Sequence, residues 1–273
     1  MKKPLLTLII VLSVVNLAWV YKTQQRHWSL KKSHQKLWTQ VSNVRKQIAN
    51  FLPDHNIHET RTEGELILRA YQMMKDFDEV MTHHNIKYWV DFGSLLGAVR
   101  HKGIIPWDDD LDIALKKEDI ASVLVLKPIF EKLGYRLKEM FFGYKLIPSQ
   151  PLNLNLPDQY VPFLDIFTIS KNKDGLWAYN DFPLNDKERY KDDDIWPLKR
   201  HSFGGITVPI PQKPHRFLDQ EFGDNWADWA YVESAHVTEM IQEKVLRKLN
   251  PADRLPAKPL GPLEDRAYLW RSE

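Results

Sequence analysis

The sequence contains no cysteine among its 273 residues, which excludes disulfides and thiolate-bound metals and fits a reducing compartment. It has no Asn-x-Ser/Thr sequon, which leans against a glycosylated luminal protein. Net charge is only +2, so no global basic field points to nucleic acid. No internal repeat is visible. What is present, 43% hydrophobic and 12% aromatic residues, is enough for one sizeable core.

The apolar run "PLLTLIIVLSVVNLAWVY" behind Lys2 and Lys3 predicts an uncleaved transmembrane anchor over residues 1–22. A cleaved signal peptide is disfavoured because bulky residues stand where a small-x-small site belongs. Lys22, Arg26, Lys31, Lys32 and Lys36 follow the span, so the positive-inside rule puts the C-terminal part in the cytosol. A luminal, Golgi-type orientation is the alternative. Over residues 23–58 a helical stalk is expected, because Leu30, His34, Leu37, Val41, Val44, Ile48 and Phe51 recur at steps of four and three. A helix packed on the domain or the bilayer surface explains that spacing, and a coiled coil that makes a homodimer is the alternative.

Residues 59–273 read as one α+β domain. Leu66, Ala70, Met73, Met74, Phe77, Val80 and Met81 mark a helix, and those methionines read as core. "KYWVDF" reads as a strand, "LLGAVR" as a short helix and "LDIAL" as a second strand. Next come a helix in "IASVLVLKPIFEKL", a hairpin in "YRLKEMFFGYKLI" and a buried strand in "YVPFLDIFTIS". Loops and short helices are expected beyond Asn172.

The stretch "GSLLGAVRHKGIIPWDDDLDIAL", residues 93–115, crowds aspartates ahead of an apolar strand. Side chains alternate along a strand, so Asp110 and Asp112 would share one face while Leu111 and Ile113 enter the core. Two adjacent carboxylates suit a hard cation, and magnesium takes one or two carboxylates plus substrate phosphates. Asp165, alone in the apolar "PFLDIFTI", is the best third carboxylate, because its burial is costly without a metal or donor. Gly93 lets the backbone approach a phosphate, and Ser94 can donate a hydroxyl hydrogen bond.

Blander readings compete. Asp108 and Asp109 suit a solvated loop. An EF-hand fails, because Ile113 replaces its glycine and Asp119 stands where a glutamate belongs. A binding module without chemistry is the third. Arg100, His101, Lys102 and Lys145 are candidate phosphate or acceptor contacts, each with an ordinary surface role as the alternative. Trp107 and Pro106 read as residues that fix the loop.

The stretch "YWVDFGSLLGAVRHKGIIPWDDDLDIAL" resembles the signature of the LicD family. That family includes phosphocholine transferases of bacterial surface glycans and, more distantly, fukutin and fukutin-related protein. The resemblance extends over about residues 60–225 and includes a weaker block, "DIWPLKRHSFGGITVPIPQKPHRFLDQEFGDNW". It implies a nucleotidyltransferase-like mixed sheet flanked by helices, of the DNA-polymerase-β type. Asp110 and Asp112 match its metal-binding pair, Asp165 its third carboxylate, and Gly93 and Ser94 its nucleotide-phosphate turn. Asp91 is not part of the matched pattern. The expected activity is Mg²⁺- or Mn²⁺-dependent transfer of phosphocholine or an alditol phosphate from a CDP-activated donor to a glycan or glycolipid. Transfer of the nucleotide itself, or an inactive scaffold, are the alternatives.

Overall fold

A computed structural model describes Thr62 and residues 64–150, 162–180, 189–232 and 245–271. The chain divides into two units, Met1–Asp54 and His55–Glu273. The expected anchor and stalk lie outside the described residues. Among the described residues no helix is long and apolar enough to cross a membrane.

Helix α1, Gly64–His83, buries the face read from its spacing, with Leu66, Tyr71, Met74, Phe77 and Met81 all inside. Glu65 in its first turn and His83 in its last suit the helix dipole. The chain leaves it through Asn85 in a left-handed conformation (φ 56°). Phe77 fixes the contact with the rest of the core: it stacks on Phe130 at 5.8 Å and meets the edge of Tyr88 at 5.1 Å. Burial of one such ring contributes roughly 1.5–3 kcal/mol.

The architecture is mixed α+β. Its central sheet runs β1-β2-β5-β4-β3 in space, with β1 Tyr88–Val90, β2 Leu111–Lys116, β3 Tyr135–Met140, β4 Gly143–Pro148 and β5 Leu164–Lys171. Strand β6, Trp177–Tyr179, pairs with β5 as well. Among the described residues only β2 and β5 pair in parallel; β1–β2, β4–β5 and β3–β4 are antiparallel. Leu111, Ile113 and Leu115 on β2 and Leu164 and Ile166 on β5 are fully buried, as central strands require.

Two sequence expectations need correction. The single helix in "IASVLVLKPIFEKL" is two, α3 Ile120–Val125 and α4 Lys127–Lys132. Pro128 is the cause, since it lacks the N–H a continuous helix needs and suits the first turn of a new one. Beyond Asn172 the chain is not only loops and short helices (α5 Asp192–Ile195, α6 Pro214–Phe222). It also forms hairpin β7–β8, Lys199–Phe203 with Ile206–Ile210, and the pair β9–β10, Trp229–Val232 with Val245–Lys248. Gly204 and Gly205, both at positive φ, make the two-residue turn of β7–β8.

Candidate metal and nucleotide site

The parallel pairing of β2 and β5 sets Asp112 directly beside Asp165, and the β4–β5 register sets Lys145 beside Asp165. Three adjacent strands thus carry a row Asp112–Asp165–Lys145 across one sheet face. Asp110, just before β2, joins the row: oxygens of Asp110, Asp112 and Asp165 lie within 4.8 Å of one another. Lys145 Nζ is 3.2 Å from Asp165 Oδ1 and 3.3 Å from the centroid of the Phe163 ring.

The turn at Gly93 faces this row. Helix α2, Phe92–Leu96, runs into a π-helical turn, Gly97–His101. Gly93 N–H donates to Asp112 Oδ2 at 3.0 Å, and Asp112 N–H donates to Ser94 Oγ at 2.9 Å. A Cβ on Gly93 would stand 3.1 Å from Asp108 Oδ2 and 3.2 Å from Asp112 Oδ2, so any larger residue would press on both carboxylates, and glycine lets them approach the backbone. Gly93 and Ser94 therefore orient a carboxylate through its side chain and its backbone.

Sequence reasoning missed Asp108. It is not a solvated loop residue: its carboxylate reaches Gly93 and hydrogen-bonds Asp110, and Asp109 beside it is 3% exposed. The available signal was parity, since Asp108, Asp110 and Asp112 are two apart and an extended chain turns all three to one side. Thr62 Oγ1 holds the loop by donating to the Asp108 carbonyl.

Arg100 and His101 are engaged by other partners, although the Arg100 charge also acts on Asp108. Arg100 Nη1 donates to the carbonyls of Trp226 and Trp229, tying the segment before β9 to the π-helical turn. His101 is buried against Trp107, and burial, aided by the Arg100 charge, pushes its pKa down to about 3, so it stays neutral. Lys102 is exposed, its Nζ on the Val99 carbonyl. A separate cleft of about 580 Å³, lined by Lys87, Lys116, Trp177, Asp192 and Trp196 among others, lies at the far ends of β2 and β5. Lys116 pairs there with Glu118 at 3.3 Å and Lys171 with Asp192 at 2.7 Å.

Electrostatics test whether a cation fits the row. Burial raises the Asp112 pKa well above the usual carboxylate range, and Asp110 and Asp165 raise it further. Burial and then Asp110 do the same to Asp108. Burial pushes Asp91, behind the turn, up to about 7, against hydrogen bonds that favour its charge. Three carboxylates and one ammonium leave a deficit that one divalent cation cancels, and all-oxygen donors suit Mg²⁺ or Mn²⁺. The residues fit the ion.

That crowding has a sign in pH. A carboxyl whose folded pKa lies above its unfolded value holds more protons when folded, so stability falls as pH rises through that window. Asp112→Asn removes the loss. In EDTA the variant is expected to melt higher than the wild type at about pH 7.5, with the gap narrowing toward about pH 4.5 as Asp112 protonates. His101 acts with opposite sign, but equally in both proteins. A gap independent of pH in thermal melts would contradict the repulsion.

A model of the family described as LicD/FKTN/FKRP, nucleotidyltransferase domain, matches residues 85–213. The chain is 37% identical to the uncharacterized protein RP689 of Rickettsia prowazekii over 229 residues, 81% of this chain and 80% of that protein. It is 29% identical to the human ribitol 5-phosphate transferase FKRP over 153 residues, 53% of this chain and 29% of FKRP. Over 60 residues it is 42% identical to the lipopolysaccharide cholinephosphotransferase LicD of Haemophilus influenzae, 20% of this chain and 23% of that protein.

Proposed function

This chain belongs to the LicD/FKTN/FKRP family, and from that premise we propose that it transfers a phosphate-linked group from a CDP-activated donor to a hydroxyl of a glycan or glycolipid. The group is phosphocholine or an alditol phosphate, in keeping with relatives named for cholinephosphate and ribitol 5-phosphate transfer. The observation that carries the reading is the Asp110–Asp112–Asp165 row behind the Gly93 turn. It suits a ligand that arrives with a diphosphate and a divalent cation.

Asp110, Asp112 and Asp165 would hold Mg²⁺ or Mn²⁺. When bound, the ion neutralises phosphate oxygens in an in-line displacement. Gly93 N–H keeps Asp112 Oδ2 pointed into the row, and Ser94 Oγ fixes the Asp112 backbone. Lys145, held beside Asp165, supplies a positive charge for the transferred phosphate. Asp165 also offers an oxygen to accept the proton of the attacking hydroxyl. Arg100 is committed to backbone carbonyls and takes no part in this scheme.

Calorimetric titration of the full chain with CDP, CDP-choline, CDP-ribitol and UDP-glucose tests the reading. Cytidine ligands are expected to bind only with Mg²⁺ or Mn²⁺, because carboxylates without a cation repel a polyanion. Ser94→Ala leaves the buried Asp112 N–H without its acceptor, so it is expected to cost about 1–3 kcal/mol of stability and to weaken binding through a displaced Asp112. Equal binding without metal would overturn the shared site, and a preference for UDP-glucose would overturn the donor. An inactive scaffold predicts normal folding with no metal-dependent binding.

A further inference from the structure

Asp91 takes no part in the scheme above, yet it is 2% exposed and carries more hydrogen bonds than its place outside the cation row requires. Its Oδ1 accepts from Phe92 N–H at 3.0 Å, and its Oδ2 accepts from Trp89 Nε1 at 3.3 Å and Tyr179 OH at 2.5 Å. Its backbone is engaged as well: N–H donates to the Asp112 carbonyl at 3.0 Å, and its carbonyl accepts from Leu95 N–H at 2.8 Å.

The next residue shows what this holds. Phe92 has φ 39°, a left-handed conformation unfavourable for a bulky side chain. It persists because its N–H is tied to Asp91 and its ring is gripped by Phe167 at 4.7 Å and Tyr179 at 5.2 Å. With Phe92 so turned, the following N–H, that of Gly93, points at Asp112 Oδ2. Tyr179 stands on β6, which pairs with β5, the strand of Asp165. One hydroxyl thereby ties the turn that aims Asp112 to the strand that carries Asp165.

We infer that Asp91 is a positioning residue: by accepting from Phe92, Trp89 and Tyr179 it clamps the strained turn that aims the Gly93 N–H, and hence the Asp112 carboxylate, at the cation row. It acts as a fixed set of acceptor oxygens and never meets the substrate. The role is therefore separable from charge. Asparagine keeps one acceptor oxygen for the Phe92 N–H and offers an amide that the Tyr179 oxygen can accept, but it loses the acceptor of the Trp89 indole N–H, whereas alanine keeps nothing.

Two readouts on the full chain test this. The first is hydrogen exchange without metal, followed by mass spectrometry over the segment 91–96. Asp91→Ala is expected to speed exchange of the Phe92 and Gly93 amides roughly tenfold or more, and Tyr179→Phe and Asp91→Asn, which each lose one partner, only a few-fold. The Tyr179 variant keeps its ring and the core packing, so the test stands even if the alanine variant folds poorly. The second is Mn²⁺ affinity by electron paramagnetic resonance, with Asp112→Asn as the reference for a lost ligand. Asp91→Ala is expected to weaken Mn²⁺ roughly tenfold, and Asp91→Asn to stay close to wild type. Unchanged exchange in both the Ala and Phe variants would overturn the clamp, as would an asparagine variant as loose as alanine. Faster exchange with unaltered Mn²⁺ affinity would overturn its role toward Asp112. The second readout rests on the metal reading of the row. If the wild type binds no Mn²⁺, that reading falls, and the exchange data alone decide the clamp.

Discussion

Replacing Asp112 with asparagine is expected to reduce turnover at least about a thousandfold while leaving the fold intact. Asparagine has nearly the same shape, and its oxygen can still accept the Gly93 N–H that Asp112 Oδ2 accepts at 3.0 Å. Its backbone N–H remains available to Ser94 Oγ. What disappears is the charge at the middle of a row whose neighbours are Asp110 and Asp165. Asp110→Asn is expected to act in the same direction. The check is the initial rate of CMP release from CDP-choline and CDP-ribitol, alongside circular dichroism of the same samples. An Asp112→Asn protein that keeps more than about a tenth of wild-type turnover would remove Asp112 from the chemistry.

The largest loss of stability is expected away from the site, at Arg266. Its Nη1 lies 2.8 Å from Asp76 Oδ2, and its Nη2 donates to the Leu133 carbonyl. Asp76 is 1% exposed, on the inner face of α1, and accepts from Tyr135 OH at 2.7 Å and Gln72 Nε2 at 2.9 Å. Burial raises the Asp76 pKa even against these partners, so the carboxylate depends on the guanidinium. Arg266→Ala leaves a buried carboxylate short of its cation and removes the bond to the Leu133 carbonyl, while Gln72 and Lys75 still tie the Glu264 backbone to α1. Breaking such a pair from one side costs about 3–5 kcal/mol, and the partial exposure of Arg266 places the expectation near the lower end. Urea denaturation measures it. A loss below about 1 kcal/mol would show the pair to be of the weak surface kind.

The site was legible in the sequence wherever period and composition alone decide geometry. Alternation put Asp110 and Asp112 on one face, and a lone aspartate in an apolar run marked Asp165. The structure sets Asp112 and Asp165 in register on parallel strands. Helix α1 was readable for the same reason, its buried side being the face its apolar spacing draws. What remained hidden depends on partners remote in sequence. Arg100 looks like a phosphate ligand until the carbonyls of Trp226 and Trp229 are seen beside it. Asp91 is silent because its meaning lies in the hydroxyl of Tyr179, on another strand. Other signals were present but outweighed. Pro128 announced the break between α3 and α4, and Gly204-Gly205 announced the turn between β7 and β8, in stretches dominated by helical spacing and by loop-rich composition.

The central claim is that the chain moves the phosphate-linked group and leaves the nucleotide behind, and the bond that breaks tests it most directly. The full chain with Mg²⁺ is given CDP-choline or CDP-ribitol in ¹⁸O-labelled water, which stands in for the acceptor hydroxyl. The phosphorus that gains the label is read by mass spectrometry, with Asp112→Asn as the control. Attack on the phosphorus of the transferred group places ¹⁸O in phosphocholine or ribitol phosphate and releases unlabelled CMP, and that is the predicted result. Label in CMP would mean attack on the nucleotide phosphorus, and would contradict the account in favour of nucleotidyl transfer.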